Sequence, residues 1–125
     1  MSAAENIATA QRGYAAFAAG DAAGAMVDMA DDIEWITPGD NLISGTTHGK
    51  QELGANWAQL AGKDFTTTPQ HWYADEERVV VLTQTSLGGE TADTADVLPF
   101  NGDGKVTKFQ TAGDTALFER VFGSK

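Results

Sequence analysis

The second half of the sequence contains the stretch RVVVLTQTSLGGETADTADVLPFNGDGKVTKFQTA, residues 78–112. Three segments of this stretch are rich in threonine, valine and aromatic residues, a composition typical of β-strands. The segments are Arg78–Leu87, Thr91–Phe100 and Lys105–Ala112. They are separated by Gly88-Gly89 and by an Asn-Gly-Asp-Gly turn at residues 101–104, and such pairs favour tight hairpins. The stretch therefore predicts an antiparallel meander.

Segments before this meander also favour strands. Phe65–Thr68 and Gln70–Tyr73 have the same threonine and aromatic content. Ile33–Thr37 is a further strand-like segment, which a Pro-Gly pair ends. The region from that pair to Thr47 is predicted to be a loop.

Three helices are predicted in the first half of the chain and a short one at its end. Ser2 and Glu5 form a capping box, in which each side chain bonds a free backbone N–H of the first turn. Asp21 and Asp114 are placed to cap the second and the last helix. The predicted helices run from Ser2 to about Ala19, from Asp21 to about Met29 or Ala30, from Lys50 to Ala61 and from Thr115 to Phe122.

This order of elements, helices first and strands after, indicates an α+β fold in one domain over residues 1–125. The helices are expected to pack on one face of the antiparallel sheet. Three helices are too few to cover both faces of four long strands. The other face, if half apolar, then needs a second copy of the chain, so we expect a homodimer.

Composition excludes several classes of function. The chain has 18 acidic residues against 8 lysines and arginines, a formal net charge of −10, and the basic residues form no stripe. We therefore expect no nucleic-acid or membrane surface. With no cysteine and only two histidines, neither a thiol nucleophile nor a metal site is predicted, and no cofactor is expected. The lack of a targeting or membrane-spanning run favours a cytoplasmic protein.

One carboxylate is predicted to be buried. In Thr91–Phe100 the even-numbered residues form the apolar face, and Asp96 lies on it between Thr94 and Leu98. Burial disfavours the charged form, so the pKa of such an acid rises and it can donate a hydrogen bond or transfer a proton near neutral pH. The alternative is a structural Asp96 bonded to a neighbouring threonine, tryptophan or backbone group.

Aromatic residues on separate elements suggest a pocket for a flat or apolar ligand. Trp35 lies on the first strand, Trp57 on the third helix and Trp72 on a later strand, while Tyr14 and Phe17 are three residues apart on the first helix. Such residues either line a hollow or form core, and core is the commoner case. The candidate ligand-binding residues are Tyr14, Phe17, Trp35, Thr37, Asn56, Trp57, Thr83, Thr94 and Phe109.

Two histidines are candidates for proton transfer, because imidazole titrates near physiological pH. His48 precedes the third helix in a loop rich in glycine and threonine, and His71 lies on a strand among polar neighbours. An exposed histidine without a role is the alternative for each.

Several motifs together resemble the SnoaL-like, nuclear-transport-factor-2-like superfamily, which includes ketosteroid isomerases and polyketide cyclases. The motifs follow one another in the order expected. They are Gln11–Asp21, Ala30–Trp35, Ser44-Gly45-Thr46, His48-Gly49-Lys50, Phe100–Val106 and Asp114–Leu117. The resemblance implies a curved sheet wrapped around three helices into a cone, with a pocket at the open end and commonly a homodimer through the outer face of the sheet.

The resemblance also carries the isomerase site residues onto this chain. The family's hydrogen-bonding Asp falls on Asp96, its oxyanion-binding Tyr falls on Gly13 with Tyr14 one residue away, and its proton-abstracting Asp falls on Thr37. Because Gly13 and Thr37 replace the expected Tyr and Asp, ketosteroid isomerase activity itself is not expected.

The function that the resemblance implies is therefore broader. It is that of an isomerase or polyketide-cyclase-type enzyme that uses Asp96 for proton transfer on a carbonyl compound, without a cofactor. Its ligand is expected to be small and apolar or aromatic. The alternative is a non-catalytic domain of the same fold that binds a ligand or mediates dimerisation.

Overall fold

The stretch at residues 78–112 forms the centre of a curved six-stranded sheet in the computed structural model, which describes residues 2–39, 41–42, 44–113 and 115–123. The strands lie in the order β2-β1-β6-β5-β4-β3, and all neighbours are antiparallel except β1 and β6, which are parallel. The strands are β1 (Met29–Thr37), β2 (Gly45–His48), β3 (Thr66–Ala74), β4 (Arg78–Leu87), β5 (Glu90–Pro99) and β6 (Val106–Gly113).

The β4–β5 hairpin has the geometry that its sequence predicts. Gly88 and Gly89 have φ values of 58° and 82°, which glycine adopts without strain, and the ladder closes where Leu87 lies opposite Glu90. The register then continues without a shift along both strands. It places Asp96 opposite a residue of β4 that faces the core.

Two helices precede the first strand, one lies between the second and third strands and one follows the last strand, and the predicted α+β class is confirmed. The capping box is also confirmed, because the Ser2 hydroxyl accepts from the Glu5 N–H at 3.1 Å and the Ser2 N–H donates to the Glu5 carboxylate at 3.2 Å. The Asp21 carboxylate caps the second helix at the N–H of Gly24, at 2.9 Å. The predicted cap Asp114 lies outside the described residues. The helices are α1 (Ala3–Ala18), α2 (Ala22–Met26), α3 (Gly49–Ala61) and α4 (Thr115–Phe122). No helix in the described part of the chain is long and apolar enough to cross a bilayer.

Sheet pairing moves two boundaries away from their predicted positions. α2 ends at Met26 instead of continuing to Met29 or Ala30, because Met29 already pairs with Val106 of β6. The region predicted to be a loop up to Thr47 contains β2, which pairs with β1. Both differences arise because partners distant in sequence satisfy the backbone groups.

The segments predicted as two strands at Phe65–Thr68 and Gln70–Tyr73 form the single strand β3. Its pairing with β4 shifts register between Pro69 and His71. A proline has no N–H to donate to a ladder, and β3 lies at the edge of the sheet, where this lack is tolerated.

The helices and one face of the sheet bury the core. On β4 the buried positions alternate, as expected for a strand with one face against helices. The most completely buried apolar side chains come from β1, α3, β4 and α4. They are Ile33, Leu53, Val79, Val81, Leu87 and Leu117.

Candidate functional site

A cavity lies between the helices and the inner face of the sheet, and its wall is mostly apolar. Its free volume is about 60 Å3. The wall is formed by Thr9, Ala10, Gly13, Tyr14, Phe17, Ala25, Asp28, Met29, Trp35, Trp57, Phe65, Thr67, Leu98, Val106 and Phe109. Five of the candidate ligand-binding residues are therefore brought together, namely Tyr14, Phe17, Trp35, Trp57 and Phe109.

The aromatic part of this wall is a contiguous set of rings. Trp35 lies opposite Phe109 in the parallel β1–β6 pairing, and the two rings stack with centroids 3.8 Å apart and planes 5° apart. Trp57 meets Trp35 edge-on at 5.5 Å, and Phe17 meets Trp57 edge-on at 4.9 Å. The rings thus serve as core and as cavity wall at once, since they pack on one another and also border the free space.

Asp96 lies directly behind the wall, bonded to a residue that belongs to it. The side chain is on the inner face of β5 and only 3% exposed, as the alternation of the strand predicts. The Tyr14 hydroxyl donates to Asp96 Oδ2, and the Thr111 hydroxyl donates to Asp96 Oδ1 at 2.9 Å. Asp96 is therefore bonded to a residue of the cavity wall without being part of that wall.

Burial sets the electrostatics of this pair. It raises the pKa of Asp96 from its ordinary 3.8 to about 6, although the hydrogen bonds from Tyr14 and Thr111 favour the ionised form and lower it. Burial also raises the pKa of Tyr14 well above its ordinary value, and the Asp96 carboxylate adds to this shift. At neutral pH Tyr14 is thus a neutral phenol. Asp96, with a pKa of about 6, is mostly ionised at neutral pH, and a minor fraction is protonated.

The contacts of its ring place the Tyr14 hydroxyl against Asp96, although the resemblance indicates the preceding residue, Gly13, for the oxyanion-binding Tyr. Both Gly13 and Tyr14 lie on the cavity wall. The Tyr14 ring is held edge-on by Trp72 of β3 at 5.4 Å and lies 6.3 Å from Phe109 of β6. These contacts keep the hydroxyl directed at Asp96.

Two other candidate residues, Thr83 and Thr94, form a buried polar cluster with Thr85. Thr83 and Thr94 are opposite each other on β4 and β5, and their hydroxyls share a hydrogen bond. The Thr85 and Thr94 hydroxyls are also bonded, at 2.8 Å. The cluster satisfies its own polar groups and is not part of the cavity wall described above.

The remaining candidates lie away from the cavity wall. Thr37 and Asn56 are both buried, at 5% and 6% exposure. His48 is exposed at the start of α3, where its backbone N–H donates to Glu52 at 3.2 Å. His71 is exposed on β3, opposite Leu82, on the outer face of the sheet.

Two buried polar atoms on residues of the wall have no hydrogen-bond partner among the described residues. They are Trp57 Nε1 and Thr67 Oγ1, and Trp57 is only 6% exposed. An unmade hydrogen bond at a buried donor costs about 1–3 kcal/mol, so such atoms usually meet a water or a ligand.

The sequence reasoning missed Asp28, which follows α2. Among the described residues of the cavity wall, Asp28 is the one with a carboxylate. Asp28 lies 3.5 Å from the Arg12 guanidinium and 3.9 Å from the Lys105 ammonium. Nothing in its local sequence distinguishes it from the other acidic residues, because the three partners come from α1, the turn before β1 and the turn before β6. Within the described ranges, no three histidine or acidic side chains are grouped as metal ligands would be.

Similar proteins agree with this fold. The family model described as the SnoaL-like domain matches residues 10–109, while no curated protein matches the chain. An NTF2-like protein from Burkholderia xenovorans LB400 is 28% identical with a TM-score of 0.78, over 98% of this chain and 98% of that one. TerC, co-crystallised with polyporic acid, is 25% identical with a TM-score of 0.83, over 94% and 97%.

Bal32a, from a soil-derived mobile gene cassette, has a TM-score of 0.87 over 96% of this chain and 98% of its own. At 24% identity it shows the fold alone. The family match, by contrast, covers most of the sequence and includes both Tyr14 and Asp96. The chain therefore belongs to the SnoaL-like domain family, within the nuclear-transport-factor-2-like superfamily.

Proposed function

We propose that the cavity binds a small, mostly apolar carbonyl compound, and that the Tyr14–Asp96 pair exchanges a proton with its carbonyl oxygen. The hydrogen bond from Tyr14 on the cavity wall to the buried Asp96 carries this proposal. An acid with a pKa of about 6 is present in both protonation states near neutral pH, as acid–base catalysis requires.

Each member of the pair has a distinct role in this scheme. Tyr14 touches the ligand and donates to the carbonyl oxygen, where negative charge develops as a neighbouring C–H bond is broken. Asp96 acts through Tyr14, because it orients the phenol and can return a proton to it. Asp28, which also lies on the cavity wall, is the carboxylate that accepts the proton from the C–H bond.

The aromatic wall supports a flat ligand. Trp35, Trp57 and Phe109 present ring surfaces, and rings of this kind bind planar apolar molecules well. The TerC structure, similar over nearly all of this chain, was obtained with polyporic acid, and this is consistent with a ligand in this chain as well.

We also propose that the chain forms a homodimer through the outer face of β3, β4 and β5. Tyr73 and Leu82 are exposed on this face, at 58% and 38%. Val80 lies between Tyr73 on one neighbouring strand and Val97 on the other, so the apolar residues are contiguous. A patch of this kind on a sheet is commonly buried by a second copy.

A non-catalytic ligand-binding domain is the second candidate function. It is favoured by one observation, that both carboxylate oxygens of Asp96 are already hydrogen-bonded, which is also how a structural acid is held. In that case the cavity binds its ligand without proton transfer.

One experiment separates the two candidates. Acetophenone in D2O is incubated with the protein, and the loss of its methyl proton signal is followed by NMR, since enolisation exchanges these protons. Catalysed exchange that is lost in Tyr14→Phe and retained in Tyr73→Phe supports the enzyme. Binding without exchange supports the non-catalytic domain, and the absence of both contradicts the proposed ligand class.

A further inference from the structure

The Tyr14 hydroxyl has a single hydrogen, and this hydrogen is used in the hydrogen bond to Asp96. The phenol donates this hydrogen to Asp96 Oδ2, while the other carboxylate oxygen is occupied by Thr111 at 2.9 Å. A phenol whose hydrogen is engaged has only acceptor lone pairs left. With Asp96 ionised, a ligand beside Tyr14 therefore meets an acceptor and is recognised through a hydroxyl or N–H of its own.

Protonation of Asp96 reverses this arrangement. A protonated carboxyl gains one O–H donor, which can point at the phenol oxygen, whereas an ionised carboxylate only accepts. The hydrogen of Tyr14 is then released and can be donated to a ligand. The same two side chains, without moving apart, now recognise a carbonyl oxygen.

We propose that the protonation state of Asp96 selects the hydrogen-bonding class of the ligand at Tyr14: alcohols, phenols and enols when Asp96 is ionised, and ketones and aldehydes when it is protonated. This inference rests on the proposed function, because it needs a ligand in the cavity. It adds a rule for which ligand is held at which pH, and it applies equally to a catalytic and to a non-catalytic cavity.

The surroundings of Asp96 favour this two-state behaviour. Asp96 lies opposite Val81 of β4 and Thr111 of β6, and Val81 in turn lies opposite Trp72 of β3, so none of these sheet neighbours is charged. From α1 the titratable group that faces Asp96 is Tyr14.

The charged and titratable side chains of the same elements are directed elsewhere. His71, Tyr73 and Arg78 are exposed on β3 and β4. Lys108 of β6 lies opposite Glu34 of β1, and Arg12 of α1 contacts Asp28. Burial thus dominates the pKa of Asp96, at about 6, and the raised pKa of Tyr14 keeps it protonated throughout.

Three single-ring probes of similar size test the inference on the full chain. Acetophenone can only accept a hydrogen bond, 4-methylphenol can donate or accept, and ethylbenzene does neither. Their dissociation constants are measured by NMR titration at about pH 5 and about pH 8, on either side of the pKa of Asp96. The dissociation constant of each polar probe is divided by that of ethylbenzene at the same pH. This ratio cancels any effect of pH on the cavity that is common to all three probes.

We expect the preference for acetophenone over ethylbenzene to fall by about fivefold from the lower to the higher pH, the equivalent of one net hydrogen bond. The preference for 4-methylphenol should not fall, since it changes from acceptor to donor. Tyr14→Phe should remove the preference for both polar probes. Asp96→Asn should remove the pH dependence, and Tyr14→Phe keeps the test available if that variant does not fold.

The outcomes separate this inference from the proposed function. If ethylbenzene and acetophenone bind with the same relative affinity at both pH values, the selection rule is wrong although the cavity binds ligands. If none of the three probes binds at either pH, the proposed ligand class is wrong, and the inference is overturned with it.

Discussion

Tyr14 of α1 and Asp96 of β5 are 82 positions apart in the sequence and are joined by a hydrogen bond from the phenol to the carboxylate. Tyr14 lies on the wall of the cavity, and Asp96 is buried behind it. The pair therefore joins a buried titratable group to a residue that borders the cavity. Both stability and ligand binding are expected to depend on it.

Removal of the Tyr14 hydroxyl should destabilise the protein most at high pH. In Tyr14→Phe the ionised Asp96 loses one of its two side-chain donors, and the loss of a hydrogen bond to a buried charged group costs about 1–3 kcal/mol. The cost should be smaller at about pH 4, where Asp96 is protonated. Urea unfolding at both pH values measures it, with Thr46→Val, which removes an exposed hydroxyl of β2 outside the apolar patch, as the control. An equal cost at both pH values would mean that the hydroxyl does not favour the ionised carboxylate.

The Asp96→Asn variant tests the pKa through stability. Because the pKa is raised from 3.8 to about 6 in the folded state, Asp96 contributes stability fully below about pH 4, and this contribution is lost as the pH rises through about 6. The neutral amide has no such loss. The free energy of unfolding of the variant, relative to the parent, should thus rise by about 2 kcal/mol between about pH 4 and pH 7. A difference that stays constant with pH would show that Asp96 titrates near its ordinary value when folded.

The free energy of unfolding should fall more when one hydroxyl of the threonine cluster is removed than when all three are removed. Thr94→Val removes the hydroxyl that Thr83 and Thr85 share. Thr83 keeps its hydrogen bond to the Thr94 carbonyl at 3.4 Å, whereas the buried Thr85 hydroxyl is left without its partner, at a cost of about 1–3 kcal/mol. The triple valine variant at positions 83, 85 and 94 leaves no unpaired hydroxyl of this cluster, so its unfolding free energy should lie closer to that of the parent. Thr91→Val, on the exposed side of β5, is the control. A triple variant that loses the sum of three single losses would contradict this account.

The outer face of the sheet should decide the oligomeric state. Leu82→Glu places a charge in the apolar patch formed with Tyr73, Val80 and Val97, and burial of an unpaired charge is costly. Light scattering is expected to show a dimer of the 13.2 kDa parent chain and a monomer of the variant. Val27→Glu, at a 62% exposed apolar residue outside the sheet, should remain dimeric. A parent chain that is monomeric at micromolar concentration would overturn the proposed dimer.

The sequence by itself determined the elements whose signals are local. The capping box at Ser2 and Glu5 and the glycine pair at Gly88-Gly89 act within a few residues, so they can be recognised without the rest of the chain. The inward position of Asp96 also follows from the sequence, because side chains alternate along a strand and its neighbours on one face are apolar. The resemblance to the superfamily added the topology that these local signals leave open.

The tertiary structure alone decided which side chains meet. The strand β2, the parallel pairing of β1 with β6 and the early start of β1 depend on partners far along the chain, and no local propensity encodes them. The contact of Tyr14 with Asp96, and the position of Asp28 on the cavity wall, depend likewise on how α1 packs across the curved sheet. A shift of one residue turns a helix by about 100°, so which of Gly13 and Tyr14 presents a hydroxyl to Asp96 is fixed by packing and not by spacing.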